Sequence, residues 1–147
     1  MTFEDRLHQL SPYVLSILRI VIALLFFSHG LSKMFGFPGT QVPPALTLHW
    51  LSGAFEFIGG ALLVLGLFTR ASAFVMSGEM AFAYFLSHAA RGFFPQLNGG
   101  DAAILYCFIF FYFVFAGAGP WSLDALFASK AHSRGERPAH QAGTRRA

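Results

Sequence analysis

Charged residues are scarce in this sequence. They make up 12% of its 147 residues, whereas a soluble globular domain usually carries about 25%. Hydrophobic residues account for 55% of the chain, and nineteen of them are phenylalanine. So few charged residues cannot make the whole surface of a protein water-soluble. We therefore expect lipid to be the main solvent of this chain.

Cysteine is nearly absent, since Cys107 is the single one and lies in an apolar run. A lone thiol cannot form an intrachain disulfide, a dithiol redox pair or a thiolate metal cluster. The chain also lacks a glycine-rich fingerprint for nicotinamide or flavin and a cysteine set for iron and sulfur. We therefore predict no metal site and no cofactor held by a recognisable motif.

A basic binding face is lacking as well, although the net charge is +3. Five of the ten lysine and arginine residues follow residue 129, so the basic character belongs to the C-terminal tail. The sequence therefore does not predict a nucleic-acid partner. It also shows no internal repeat of the kind that marks inverted-repeat transporters.

Long apolar segments are what the sequence does contain. Each of four segments approaches the roughly 20 residues that a membrane-spanning helix needs. They cover residues 13–35, 50–68, 71–90 and 101–118. Pro12 would lie at the start of the first helix, where proline is tolerated. The prediction is an all-α, antiparallel bundle of four transmembrane helices within a single domain, residues 1–128, followed by a disordered basic tail, residues 129–147.

The distribution of positive charge predicts the orientation of this bundle. With the N-terminus inside, seven lysine and arginine residues lie on the inner side and two on the outer side. The inner residues are Arg6, Arg70, Lys130, Arg134, Arg137, Arg145 and Arg146, and the outer ones are Lys33 and Arg91. Positive charge concentrates in cytoplasmic loops, so both termini should be cytoplasmic in a multi-pass protein of the bacterial inner membrane.

Several ionisable residues interrupt the apolar segments. Each would cost roughly 2.5 to 3.5 kcal/mol in hydrocarbon, so their side chains should face protein or a wet cavity. Depths in the membrane, estimated from a helical rise of about 1.5 Å per residue, divide these residues into two layers. The predicted inner layer is the ion pair Arg19 with Glu79, and the outer layer is a polar cluster of His29, Lys33, Glu56, His88, Asn98 and Asp101.

The two layers carry different expectations. The inner pair is either a structural ion pair that fixes helix packing or part of a functional site. In the outer cluster, His29 and Glu56 are the candidate catalytic proton donor and acceptor. His88 lies about 180° around its helix from Glu79, so it is alternatively a residue of the headgroup region.

Four motifs in this sequence resemble one known family. They are HG..K from His29 to Lys33, E..GG..L..GL.TR from Glu56 to Arg70, GEMA.AYF..H from Gly78 to His88, and RGFFP.LNGGD from Arg91 to Asp101. Together they resemble the DoxX family of small bacterial membrane proteins over roughly residues 19–124. Asp101 stands where many relatives are expected to have glutamate.

The resemblance implies a four-helix bundle in the cytoplasmic membrane. It also implies a link to redox chemistry, because the name-giving member is a membrane subunit of a thiosulfate:quinone oxidoreductase. Other members are called oxidoreductases or belong to membrane complexes that handle oxidative stress. Fold transfers between such relatives more safely than activity does.

Three functions remain open from the sequence. The first is the membrane subunit of a quinone-linked oxidoreductase, in which the outer cluster and the aromatic fourth helix line a quinone pocket. Electrons would then come from a soluble redox partner, and the chain could also form a homo-oligomer. A haem held by His29 and His88 is a weaker alternative. The second function is a small solute or proton carrier, and the third is a non-catalytic membrane scaffold.

Overall fold

The computed structural model describes residues 2–135, and every regular element in that part of the chain is helical. The helices are α1 (Phe3–Phe35), α2 (Leu48–Leu65), α3 (Thr69–Ala83), α4 (Pro95–Asn98), α5 (Asp101–Ala116) and α6 (Leu123–Gly135). Helix α3 continues through a π-helical turn, Tyr84–His88, into a 3-10 turn, Ala89–Arg91. The predicted all-α class is confirmed.

Helix α1 begins ten residues earlier than the sequence pattern predicted. Thr2 and Asp5 form a capping box, in which the Thr2 hydroxyl accepts from the Asp5 backbone N–H and the Asp5 carboxylate accepts from that of Thr2. This exchange satisfies two otherwise unpaired donors of the first turn. Pro12 lies inside α1 rather than at its start, so the predicted boundary at residue 13 is wrong.

The C-terminal boundary differs as well. Helix α6 extends to Gly135, so the chain is still helical beyond the predicted domain end at residue 128. Asp124 anchors the first turn of α6, because its carboxylate accepts from the backbone N–H groups of Phe68 and Thr69 at 2.9 Å each. The rest of the predicted tail, residues 136–147, lies outside the described residues.

The bundle consists of two closely packed helix pairs, α1 with α2 and α3 with α5. The connection over residues 66–68 joins the pairs by making α2 and α3 neighbours. Helices α1 and α5 meet through Phe26 and Phe110, whose ring centroids are 4.8 Å apart. The buried core between the pairs contains Ala23, Phe26, Leu63, Ala73, Met76, Met80, Ala103, Phe110 and Phe113.

Glycines allow α1 and α2 to approach closely. A Cβ atom at Gly30 would lie 2.6 Å from the Phe57 Cα, and one at Gly60 would lie 2.8 Å from the Phe27 Cα. A Cβ at Gly53 would lie 2.6 Å from the Lys33 Cβ. Small residues of this kind permit close backbone contact between membrane helices. The contact also fixes Lys33 against α2.

We expect Gly30→Ala to destabilise the fold by about 1 to 3 kcal/mol, the usual cost of overpacking a close contact. The added methyl group meets the backbone of α2, which cannot move aside as a flexible side chain could. Thermal unfolding of the purified protein in detergent measures this loss. Gly78→Ala is the matched control, because a Cβ there has no atom within 4 Å; equal midpoints for both variants would contradict the prediction.

The outer surface of the bundle is apolar. Large hydrophobic side chains such as Leu24, Phe55, Ile58, Phe108 and Phe115 are each at least 49% exposed. Contiguous apolar surface of this extent is unusual for a monomer in water and is typical of a membrane interaction. Helices α1 and α2 are long and apolar enough to cross a membrane, and α5 is a shorter apolar helix.

Candidate functional site

A buried ion pair connects α1 to α2. The Lys33 Nζ lies 2.6 Å from the Glu56 Oε1, and the two side chains are 20% and 4% exposed. Because Gly53 lets the Lys33 stem lie directly on α2, the ammonium reaches a carboxylate one turn further along that helix. The structure thus brings together two residues that the sequence assigned to the outer cluster.

Ser52 extends this pair to α3. Its hydroxyl donates to the Glu79 Oε1 at 2.8 Å, while the Lys33 Nζ donates to the Ser52 Oγ at 3.1 Å. The same hydroxyl lies 3.3 Å from the Glu56 Oε1. We refer to Lys33, Ser52, Glu56 and Glu79 as the carboxylate cluster. It ties three helices together at a single level of the bundle.

Each glutamate of the carboxylate cluster keeps an unused oxygen. The Oε2 atoms of Glu56 and Glu79 are buried and have no hydrogen-bond partner. A buried carboxylate oxygen without a donor is costly, so structural ion pairs normally satisfy both oxygens. The cluster therefore has free capacity to accept hydrogen bonds or protons.

The structure does not form the ion pair predicted between Arg19 and Glu79. Glu79 lies ten residues after the start of α3, and Glu56 lies nine residues before the end of α2. Because the two helices are antiparallel neighbours, these offsets place both glutamates at one level, about 15 Å from the connecting turn. The sequence estimate extended α2 to residue 68 and began the third helix at residue 71, and these two errors separated them.

Arg19 instead binds the helix end near that turn. Its side chain is fully buried, and its Nε donates to the Ala118 carbonyl oxygen at 2.9 Å. Its two terminal nitrogens donate to the carbonyl oxygens of Leu63, Val64 and Trp121. The last carbonyl groups of a helix have no partner within it, so Arg19 caps α2. This role is structural.

His29 lies beside α5 without joining the hydrogen bonds of the carboxylate cluster. It is exposed, and its ring meets the Tyr106 ring edge-on with centroids 6.2 Å apart. Tyr106 in turn stacks on Phe110 at 5.8 Å and packs against Phe26 at 5.3 Å. His29 thus stands at the edge of an aromatic wall, with its ring nitrogens accessible to a ligand.

The other three predicted cluster residues build the connection between α3 and α5. The His88 Nδ1 lies 3.0 Å from the Asn98 carbonyl oxygen, and the buried Asn98 amide bonds to Gly92 and Gly100. Asp101 is exposed and accepts from the Ala102 N–H. The structure does not bring these residues into the carboxylate cluster. The π-helical turn, which sequence reasoning missed, reorients His88 toward this loop.

Two residues at the site escaped the sequence analysis. Ser52 is four residues before Glu56, so the helical period places both on one face of α2, and this spacing could have revealed it. Tyr106 had no such signal, because it lies within a continuous aromatic run on α5. Among residues 2–135, no three histidine, cysteine, aspartate or glutamate side chains are placed to hold a metal ion.

Comparison with known proteins places this arrangement in a family. The family model described as DoxX matches residues 14–89, a range that contains the entire carboxylate cluster and His29. The chain belongs to the DoxX family. Together with the apolar outer surface, this membership makes the chain a DoxX family membrane protein.

Relatives of this DoxX family protein include proteins of two bacteria. An uncharacterized protein of Haemophilus influenzae is 46% identical over 86% of this chain and 99% of its own length. A second one from the same organism is 32% identical over 76% of this chain and 82% of its own length. An uncharacterized membrane protein of Mycobacterium tuberculosis is 27% identical over 89% of this chain and 91% of its own length. No solved structure matches the chain.

Proposed function

We propose that this DoxX family protein is the integral membrane subunit of a quinone-linked redox complex in the bacterial cytoplasmic membrane. The observation that carries this proposal is the carboxylate cluster, which lies inside a bundle with an apolar outer surface. Ionisable side chains within membrane proteins are expensive to bury, and they commonly mark proton relays or substrate sites.

The proposal includes four membrane crossings with both termini in the cytoplasm. Helices α1 and α2 are long enough to cross. Helix α3 with its two terminal turns extends about 35 Å, which exceeds a hydrocarbon core of about 30 Å. Helix α5, at about 24 Å, would cross only with a thinned bilayer or with the preceding loop at membrane depth.

The surroundings of His29 fit the head group of a quinone. Quinone binding requires an apolar wall and a proton donor near the carbonyl oxygens. The partly exposed Tyr106 ring, which packs on the buried Phe26 and Phe110, would supply the wall, and the accessible His29 ring would supply the donor. A bound quinone would accept two electrons from a soluble partner protein and two protons through the site. We do not propose haem, because His29 contacts α5 while His88 is bonded to Asn98.

Binding of a soluble short-chain ubiquinone to the full-length protein in detergent tests this function. We expect saturable quenching of tryptophan fluorescence, with affinity reduced at least about tenfold in His29→Ala and in Glu56→Leu, corresponding to about 1.4 kcal/mol or more. Both variants should still insert into the membrane. Glu4→Gln, which changes an exposed carboxylate in the first turn of α1, is the control. Absence of saturable binding to the wild type would count against the proposal.

Other outcomes would favour the two remaining functions. A pH-gradient-driven flux in liposomes that is lost in Glu79→Gln would favour a proton or solute carrier. Unchanged complex assembly and cell phenotype after isosteric replacement of His29 and Glu56 would favour a scaffold subunit.

A further inference from the structure

The carboxylate cluster contains unequal numbers of opposite charges. Lys33 supplies one positive charge, and Glu56 and Glu79 supply two negative charges when both are ionised. Lys33 contacts Glu56 directly, whereas the polar contact of Glu79 is the neutral hydroxyl of Ser52. Full ionisation would therefore leave one uncompensated negative charge in the interior of the bundle, which is unfavourable.

We propose that Glu79 is a proton-binding site that holds one exchangeable proton while Glu56 stays ionised beside Lys33. One proton makes the carboxylate cluster neutral. Two carboxylates that lie close together commonly share a single proton for this reason. The reaction at the site is the addition of a proton to a Glu79 carboxylate oxygen, with Ser52 joining that group to Glu56.

The unused carboxylate oxygens support this assignment independently of the charge count. Glu56 is 3% exposed, and its Oε2 has no hydrogen-bond partner although the other oxygen of the same carboxyl group lies in the cluster. The Oε2 of Glu79 is buried and unpaired as well, so it can take up the proton while Glu56 stays ionised. Buried polar atoms are normally hydrogen-bonded, and unpaired acceptors of this kind call for a role beyond ion pairing.

The neighbouring titratable groups do not change the charge balance of the carboxylate cluster. On α1, Lys33 contacts the cluster, while His29 is exposed and faces Tyr106. On α5, Tyr106 lies within electrostatic range of Glu56 and is neutral at pH 7, as an ordinary phenol is. None of these groups places a second positive charge in contact with Glu79.

The proton exchanges with one end of the bundle only. On the side toward Arg19, the apolar core residues Phe26, Leu63 and Phe110 are at most 1% exposed. The buried hydroxyl groups on this side, those of Thr69, Ser72 and Ser77, form no hydrogen bond to the cluster. On the opposite side, the partly exposed Lys33 and Ser52 connect the cluster to the end where α1 terminates. The cluster is therefore a proton reservoir for that end rather than a channel. The inference deepens the proposed function and rests on it for the use of the proton.

Infrared spectroscopy of the full-length protein in lipid bilayers at pH 7 tests the site without any quinone. Exposed carboxyl groups are ionised at this pH, so only a buried acid gives the carbonyl stretch of a protonated carboxyl group. We expect one such band, which shifts in D₂O, is lost in Glu79→Gln and is unchanged in Glu4→Gln. In Lys33→Met both cluster carboxylates lack a cation, and the band should grow about twofold.

Three results would overturn the assignment. They are a wild-type spectrum with no protonated carboxyl band, a band that persists in Glu79→Gln, and a band that disappears when sodium chloride is added, which would identify a metal cation as the occupant. The wild-type measurement does not depend on whether a variant folds. A band without ubiquinone binding would refute the proposed function and leave the proton site standing.

Discussion

Replacing Arg19 with leucine should destabilise the protein by about 3 to 5 kcal/mol. The guanidinium donates to four carbonyl oxygens, two at the end of α2 and two in the segment that precedes α6. A buried acceptor that loses its donor costs about 1 to 3 kcal/mol. Removal of the buried charge returns part of this sum, since its desolvation no longer opposes folding. The four acceptors still dominate the result.

Thermal unfolding in detergent, calibrated with a chemical denaturant, measures this loss. Arg70→Leu is the matched control, because Arg70 also donates to two terminal carbonyls of a helix, those of Val114 and Phe115, but is exposed. Solvent can replace its donors, so we expect a loss below about 1 kcal/mol. Similar losses in the two variants would contradict the assignment of Arg19 as a buried cap.

Replacing Lys33 with methionine should cost about 3 to 4 kcal/mol at pH 7. The variant leaves Glu56 buried without its cation, and such a group takes up a proton rather than stay charged. Protonating an ordinary glutamate at pH 7 costs about 3.7 kcal/mol, which sets the size of the effect. Lys33→Arg keeps the positive charge and should lose much less.

A second substitution distinguishes lost charge balance from lost packing. In the double variant Lys33→Met with Glu56→Gln, no unpaired charge remains at the pair, so most of the stability should return. The comparison uses the unfolding free energies of the wild type, both single variants and the double variant. Additive losses would show that Lys33 acts through packing of its stem on Gly53 instead.

The sequence was sufficient for the helical class and for the pairing of neighbouring helices. A scarcity of charge and four apolar runs predicted helices, and the short connection before Thr69 predicted that α2 and α3 are neighbours. The pairing of Lys33 with Glu56 could be inferred from the sequence, because both residues lie toward one end of the bundle. The four-crossing topology remains a prediction.

The partner of Glu79, in contrast, could not be predicted from the sequence. Depth estimates depend on where helices begin and end. Three residues at the end of α2 and two at the start of α3 decided whether Glu79 matched Arg19 or Glu56. Gly66, in the left-handed conformation with φ of 64°, ends α2 there. The apolar residues beyond it conceal this stop, because hydropathy does not distinguish a helix from the turn that follows it.

The carbonyl groups that accept hydrogen bonds from Arg19 also determine when α1 can reach its final position during synthesis. The carbonyl of Ala118 lies 99 residues later in the chain, and that of Trp121 lies 102 residues later. During synthesis α1 is therefore complete long before half of its arginine's acceptors exist. We expect the nascent first helix to stay beside the insertion machinery, or at the bilayer surface, until the C-terminal segment has emerged.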